Sequence, residues 1–79
     1  MTRTKQIDAK ALFGLAVRKF RHEKKISQEK LAELAEIHRT YIGDVERGTR
    51  NISLANMVKI ASALGVPLSR LIAEMEANK

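Results

Sequence analysis

The side chains in this chain best suited to chemistry are arginines and polar groups in helical stretches: Gln28, Arg39, Thr40, Asp44 and Arg47. Their chemistry is recognition. A guanidinium fork donates to two acceptors at once, on a phosphate or on the O6/N7 edge of guanine. A threonine touches a thymine methyl or donates to a base or phosphate, and a carboxylate accepts from cytosine N4. Asp44 has an alternative use, pairing with Arg39 or Arg47 to orient them. Bond-making chemistry finds no footing. There is no Ser/His/Asp arrangement, no paired carboxylates and no phosphate-binding glycine loop, so no catalytic residues are expected. Cysteine is absent, which excludes disulfides, Cys-ligated zinc, iron–sulfur clusters and thiol catalysis. His22 and His38 are too few for a metal cage and read as surface or capping residues. No metal, cofactor or small-molecule ligand is expected.

Charge points to the same class of partner. The chain holds 15 Lys+Arg against 9 Asp+Glu in 79 residues, a formal net charge of +6. Eight of the cations lie within residues 1–25. A basic excess of this kind favours a polyanion. The length predicts one domain over residues 8–76, with a flexible tail at 1–7 and a frayed end at 77–79. Arg3 and Lys5 in the tail would add salt-sensitive phosphate attraction. No apolar run is long enough to span a membrane, and no apolar stretch follows the first charges as in a secretory signal. The expected location is cytoplasmic.

The elements that must hold these side chains read as helices throughout, giving an all-α fold of five helices. The first runs from about Asp8, a good N-cap, to Lys24, with an apolar stripe of Ala9, Leu12, Phe13, Ala16, Val17 and Phe20. Gly14 interrupts it at a cost of about 1 kcal/mol relative to alanine. The second starts after Ser27 and stops near Ala35, with Leu31, Ala32, Leu34 and Ala35 expected to be buried. The third spans Arg39 to Arg47 and is closed by Gly48. Ser53 caps the fourth, Leu54 to Leu64, with Met57, Val58, Ile60, Ala61 and Leu64 inward and Gly65 as terminator. Pro67 suits the first turn of a fifth helix that continues through Leu68, Leu71, Ile72 and Met75, then frays from Glu76.

The second and third helices meet at a turn of three or four residues. Ala32 permits a close crossing, Ile37 plugs the turn, and Ile42 and Val45 anchor the third helix. Arg39, Thr40, Gly43, Asp44 and Arg47 are left pointing outward. This is the pattern of a helix-turn-helix, whose second helix enters the DNA major groove.

Four segments carry a family resemblance: Ser27–Ala32, Arg39–Gly48, Arg50–Leu54 and Leu64–Leu71. Together they resemble the lambda repressor/Cro-like helix-turn-helix family over nearly all of residues 9–75. The run Arg39 to Asn51 looks most like the controller proteins of restriction–modification systems. The resemblance implies a bacterial, nucleoid-associated transcriptional regulator. Arg39 and Thr40, with Asp44 and the close-approach residue Gly43, would read bases. Ser27, Gln28, Tyr41, Arg47, Arg50 and Asn51 would hold the DNA backbone. It also implies a structural ion pair between Arg21 and Glu46. Two positions depart from the family pattern. Glu36 stands where the turn usually has glycine, and a positive φ there costs about 1 kcal/mol. His38 stands at the recognition helix N-cap, where histidine caps less well, predicting a shifted or frayed start.

Specific reading needs more bases than one monomer reaches, so a homodimer on an inverted repeat of double-stranded DNA is expected. The fifth helix offers Val66, Leu68, Leu71, Ile72 and Met75 as the dimer interface. A controller of this kind would activate or repress its own operon, with a possible contact to RNA polymerase. The alternatives are an antitoxin-type or other protein-interaction module on the same fold, or a phage-type repressor.

Overall fold

The computed structural model describes residues 8–78. The expected tail at 1–7, with Arg3 and Lys5, and the final Lys79 lie outside the described residues. The chain forms α1 (Ala9–Lys24), α2 (Gln28–Ala35), α3 (Arg39–Arg47), α4 (Leu54–Leu64) and α5 (Leu68–Ala77). No strand occurs among the described residues.

Four of the five helix starts are closed by a side-chain cap. Asp8 Oδ1 accepts from the Ala11 N–H at 3.2 Å, Ser27 Oγ from Lys30 at 2.9 Å and Ser53 Oγ from Asn56 at 3.2 Å. These bonds satisfy donors that the first helical turn leaves free. His38 corrects the expectation of a frayed start. Its Nδ1 accepts from the Thr40 N–H at 3.0 Å and α3 begins at Arg39. An imidazole nitrogen substitutes for the usual oxygen because its reach from Cα is similar. Pro67 sits at the N-cap of α5 rather than inside the helix, and it makes no side-chain cap bond. The expected fraying from Glu76 is also corrected. The helix runs to Ala77, and the Asn78 amide donates to the Glu74 carbonyl and to Glu74 Oε2, both at 3.0 Å.

The first four helices end alike. Lys25, Glu36, Gly48 and Gly65 adopt left-handed backbone conformations, with φ of 61°, 58°, 77° and 76°. The next residue's N–H then reaches back to a carbonyl five residues earlier: Ile26 to Arg21, Ile37 to Ala32, Thr49 to Asp44 and Val66 to Ala61. Ile26, Ile37 and Val66 also pack against the core. That apolar contact offsets the strain of the two non-glycine residues. Glu36 thus takes the positive φ expected of it, and Lys25 does so without any sequence signal. Only Thr49 follows its helix end with an exposed polar side chain, at the start of the loop that carries Arg50 and Asn51.

The core is shared by all five helices. Phe13, Ala16, Val17 and Phe20 meet Leu31, Ala32 and Ala35, then Ile42 and Val45, then Ile60, Ala61, Leu64 and Leu71. Two residues expected inside are outside: Leu34 is 45% and Val58 53% exposed. Each lies about a sixth of a turn beyond the edge of the stripe its helix buries, so helical periodicity alone does not exclude it from the core. At the N-terminal end of the α1 stripe, Ala9 is exposed and Leu12 half-buried.

Gly14 explains itself at the α1–α3 crossing. A Cβ there would stand 2.2 Å from the Val45 carbonyl oxygen and 2.9 Å from that of Glu46. The helix-propensity loss is therefore accepted for backbone contact, which seats α3 against the scaffold.

Candidate nucleic-acid interface

The position of α3 is set from beneath by a buried polar cluster. Arg21, near the end of α1, donates from Nε to Glu46 Oε2 at 2.6 Å and from Nη2 to Glu46 Oε1 at 3.0 Å. Its Nη1 donates to the Ile26 carbonyl at 3.0 Å. Arg21 and Glu46 are both buried, and the hydrogen bond to Glu46 raises the Arg21 pKa further above its ordinary value, against the opposing effect of burial. A fork-to-fork pair of this kind fixes both distance and rotation between two helices.

Gln28 joins the same cluster. Its Nε2 donates to Glu46 Oε1 at 3.0 Å, so α1, α2 and α3 meet on one carboxylate. The spacing of residues gave no hint of this contact, since 18 residues separate the partners. Gly43 is buried, but its cover is movable: a Cβ there would stand 3.2 Å from Nη1 at the far end of the 64% exposed Arg47 side chain and 3.8 Å from Gln28 Oε1.

The outer surface divides into two parts. At the start of α3, Arg39 and Thr40 are exposed. Arg39 Nε lies 3.3 Å from Glu29 Oε2 in the first turn of α2, with both side chains more than half exposed. An ion pair in that setting is weak and screened by salt, so the guanidinium is held loosely. The Thr40 N–H is taken by His38, while its side chain stands free of the cap bond.

At the end of α3, Asp44 gathers two arginines. Its Oδ1 accepts from Arg47 Nη2, and its Oδ2 accepts from Arg50 Nη2 at 3.2 Å. The Asp44–Arg47 pair follows from three-residue helical spacing, and it answers the open choice of partner: Arg39 turns to Glu29 instead. Arg50 also lies over the Tyr41 ring, 4.5 Å from its centroid. Tyr41 is half-buried and packs on the core, so this cation–π contact links the loop to α3. Asn51 is exposed beside Arg50, and Ser27, the α2 N-cap, is exposed at the other edge.

The dimer-interface residues fare unevenly. Leu71 is wholly buried within the single chain and is removed from that set; a five-helix core this small needs it. Val66, Leu68, Ile72 and Met75 are half-buried against the core. Ile72 and Met75 line a small apolar cleft with Phe13, Ile52 and Met57.

Known proteins share this fold and much of this sequence. The helix-turn-helix family model matches residues 17–71. The control protein C.BamHI of Bacillus amyloliquefaciens is 61% identical over 56 residues, covering 70% of this chain and 69% of that protein. The crystal structure of the restriction–modification controller protein C.AhdI from Aeromonas hydrophila superposes with a TM-score of 0.80 at 43% identity, covering 82% of this chain and 98% of that one. The structure of C.Esp1396I bound to a 19 base pair DNA duplex superposes with a TM-score of 0.82 at 28% identity, covering 87% of this chain and 92% of that one. The chain belongs to the helix-turn-helix family of transcriptional regulators. Within that family its place is among the control proteins of restriction–modification systems.

Proposed function

We propose that this protein binds double-stranded DNA as a symmetric homodimer at inverted-repeat sites and adjusts transcription of its own operon. One observation carries the reading: Arg39 and Thr40 stand exposed at the first turn of α3, while Arg47, Arg50 and Asn51 line its far end. A recognition helix presents its N-terminal residues to base edges and its flanks to phosphate. Arg39 reads guanine and Thr40 a thymine methyl or neighbouring acceptor. Ser27 and Gln28 meet phosphate at the start of α2, where free N–H groups and the helix dipole favour an anion. Tyr41, Arg47, Arg50 and Asn51 hold the other side of the backbone contact.

The likeness to C.Esp1396I, a protein whose structure was solved on a DNA duplex, supports the docking mode. In a dimer two copies of α3 lie about 34 Å apart, one turn of B-DNA. The half-buried Val66, Leu68, Ile72 and Met75 supply the contact between copies, and a contact with RNA polymerase accounts for activation when the site lies upstream of a promoter. The protein acts as a regulator and not as an enzyme. Among the described residues there is no cluster of His, Asp and Glu suited to a metal and no helix long and apolar enough to cross a membrane.

Selection of bound sequences from a random duplex pool, at about 0.15 M salt so that non-specific attraction is reduced, tests this reading. The expected result is enrichment of an inverted repeat whose half-sites are about one helical turn apart. A pool that stays random, with the protein folded and dimeric, would overturn it in favour of a protein-interaction module.

A further inference from the structure

Asp44 is an acid placed where a duplex would lie. Its side chain is 24% exposed, and both carboxylate oxygens are committed, Oδ1 to Arg47 and Oδ2 to Arg50. Its backbone carbonyl accepts from Thr49 N at 3.0 Å and from Thr49 Oγ1 at 3.2 Å. Residue 44 therefore anchors the loop after α3 through its main chain and two cations through its side chain. A carboxylate so occupied is poorly placed to accept from cytosine, and it repels phosphate.

We propose that Asp44 is a positioning residue that sets the strength of DNA binding: an internal anion that holds Arg47 and Arg50 ready and competes with DNA phosphate for them. This inference rests on the DNA-binding reading above. The three side chains together carry one net positive charge instead of two. Any duplex that takes these arginines to its phosphates must displace the carboxylate, and that cost is the same for random and cognate sequence. Asp44 thus weakens binding to every duplex by about the same factor, and a cognate site stays well bound because Arg39 and Thr40 add their own contacts. The exchange is accessible because the Arg47 and Arg50 side chains are 64% and 44% exposed, and surface ion pairs of this kind contribute little. Tyr41, beneath Arg50, keeps that guanidinium near the surface when the carboxylate releases it.

The test compares the full-length wild type with Asp44→Asn and Asp44→Glu on a random duplex and on the selected inverted repeat, across about 0.05 to 0.3 M salt. Asp44→Asn is expected to bind random duplex about five- to ten-fold more tightly near 0.1 M salt, with a salt slope steeper by about one, as for one additional phosphate neutralised. Affinity for the selected site should rise by about the same factor, leaving the ratio between the two unchanged. Asp44→Glu, which keeps the charge, should return both affinities most of the way to wild type. Asp44→Ser repeats the test with a second neutral side chain, and circular dichroism establishes that each variant is folded. If Asp44→Asn leaves random affinity and slope unchanged while altering preference at one base pair per half-site, Asp44 is a direct base reader and the proposal is overturned. A neutral variant indistinguishable from wild type overturns this inference alone. Failure of the wild type to bind either duplex overturns the proposed function and this inference together.

Discussion

Arg39 and Arg50 are both exposed arginines on one surface, yet their surroundings separate their roles. Arg39 stands at the start of α3, held only by an exposed pair with Glu29 at 3.3 Å. Removing a bidentate base contact costs about 1–3 kcal/mol and relaxes one position. Arg39→Ala should therefore weaken binding to the selected site by that amount and flatten the preference at one base pair per half-site. Repeated selection with the variant checks this, and an unchanged preference would show that another residue reads the base. Arg50 lies on Tyr41 and Asp44 in the loop beyond the helix. Arg50→Ala should weaken all duplexes about equally and make the salt slope shallower by about one. Titrations at several salt concentrations with matched and random duplexes separate the two kinds of contact.

Helix α3 is oriented more by what lies under it than by its own sequence. It is only 9 residues long, and an isolated helix of that length is marginal in water. Two contacts with α1 hold it: the Arg21–Glu46 fork and the close approach at Gly14. Glu46→Ala leaves a buried guanidinium without its carboxylate and the Gln28 amide without its acceptor. Breaking one side of a buried pair costs about 3–5 kcal/mol, which denaturant unfolding would measure. Gly14→Ala should cost about 3 kcal/mol, at the upper end of the overpacking range, because backbone rather than a mobile side chain stands in the way. A Gly14→Ala protein as stable as the wild type would show that α1 and α3 separate easily. Both variants should lose DNA affinity beyond their loss of folded protein, since each releases the tilt of α3.

Across the molecule, α5 serves the core before it serves any partner. Leu71 is wholly buried, so Leu71→Asp should unfold the chain instead of producing monomers. Leu68→Asp alters a half-buried position and should shift sedimentation from dimer toward monomer while helical circular dichroism is retained. A persistent dimer would move the interface to the exposed Leu54 and Val58 of α4. The α1–α5 contact also carries a charge link: Lys19 Nζ lies 3.0 Å from Glu74 Oε1. The hydrogen bond from Lys19, and then that from Asn78, hold the Glu74 carboxyl below the ordinary carboxylate range. A carboxyl whose pKa is depressed by folding adds stability above its unfolded value and loses it as pH falls through the folded one. The Glu74 side chain is only partly exposed, but its partner Lys19 is half exposed, so solvent screening keeps the effect small. Melting temperatures of Glu74→Gln should lie slightly below wild type at neutral pH, and the gap should narrow as the pH falls below the ordinary glutamate range and through the lowered folded value. A gap independent of pH would assign Glu74 a role other than its charge.

Local chemistry sufficed for the helices and their ends. Asp8, Ser27 and Ser53 announce helix starts, Gly48 and Gly65 announce stops, and the three-residue interval from Ile42 to Val45 marks the anchored face of α3. These are interactions within one or two turns, and spacing encodes them directly. The outward cations Arg39 and Arg47 were readable on the same ground, whereas the role of Arg50, in the loop beyond, came from the family resemblance. Contacts between distant segments were not legible from spacing; the one foreseen, Arg21 with Glu46, came from the family resemblance. Gln28 and Glu46 meet 18 residues apart, Arg50 folds back over Tyr41, and Gly14 touches backbone 31 residues away at Val45. Gly43 shows why the distinction matters: helical spacing put it on the outward face, and the side chains of Arg47 and Gln28 cover it. Periodicity states which way a residue faces on its own helix, but only packing between helices decides what lies opposite and whether water remains there.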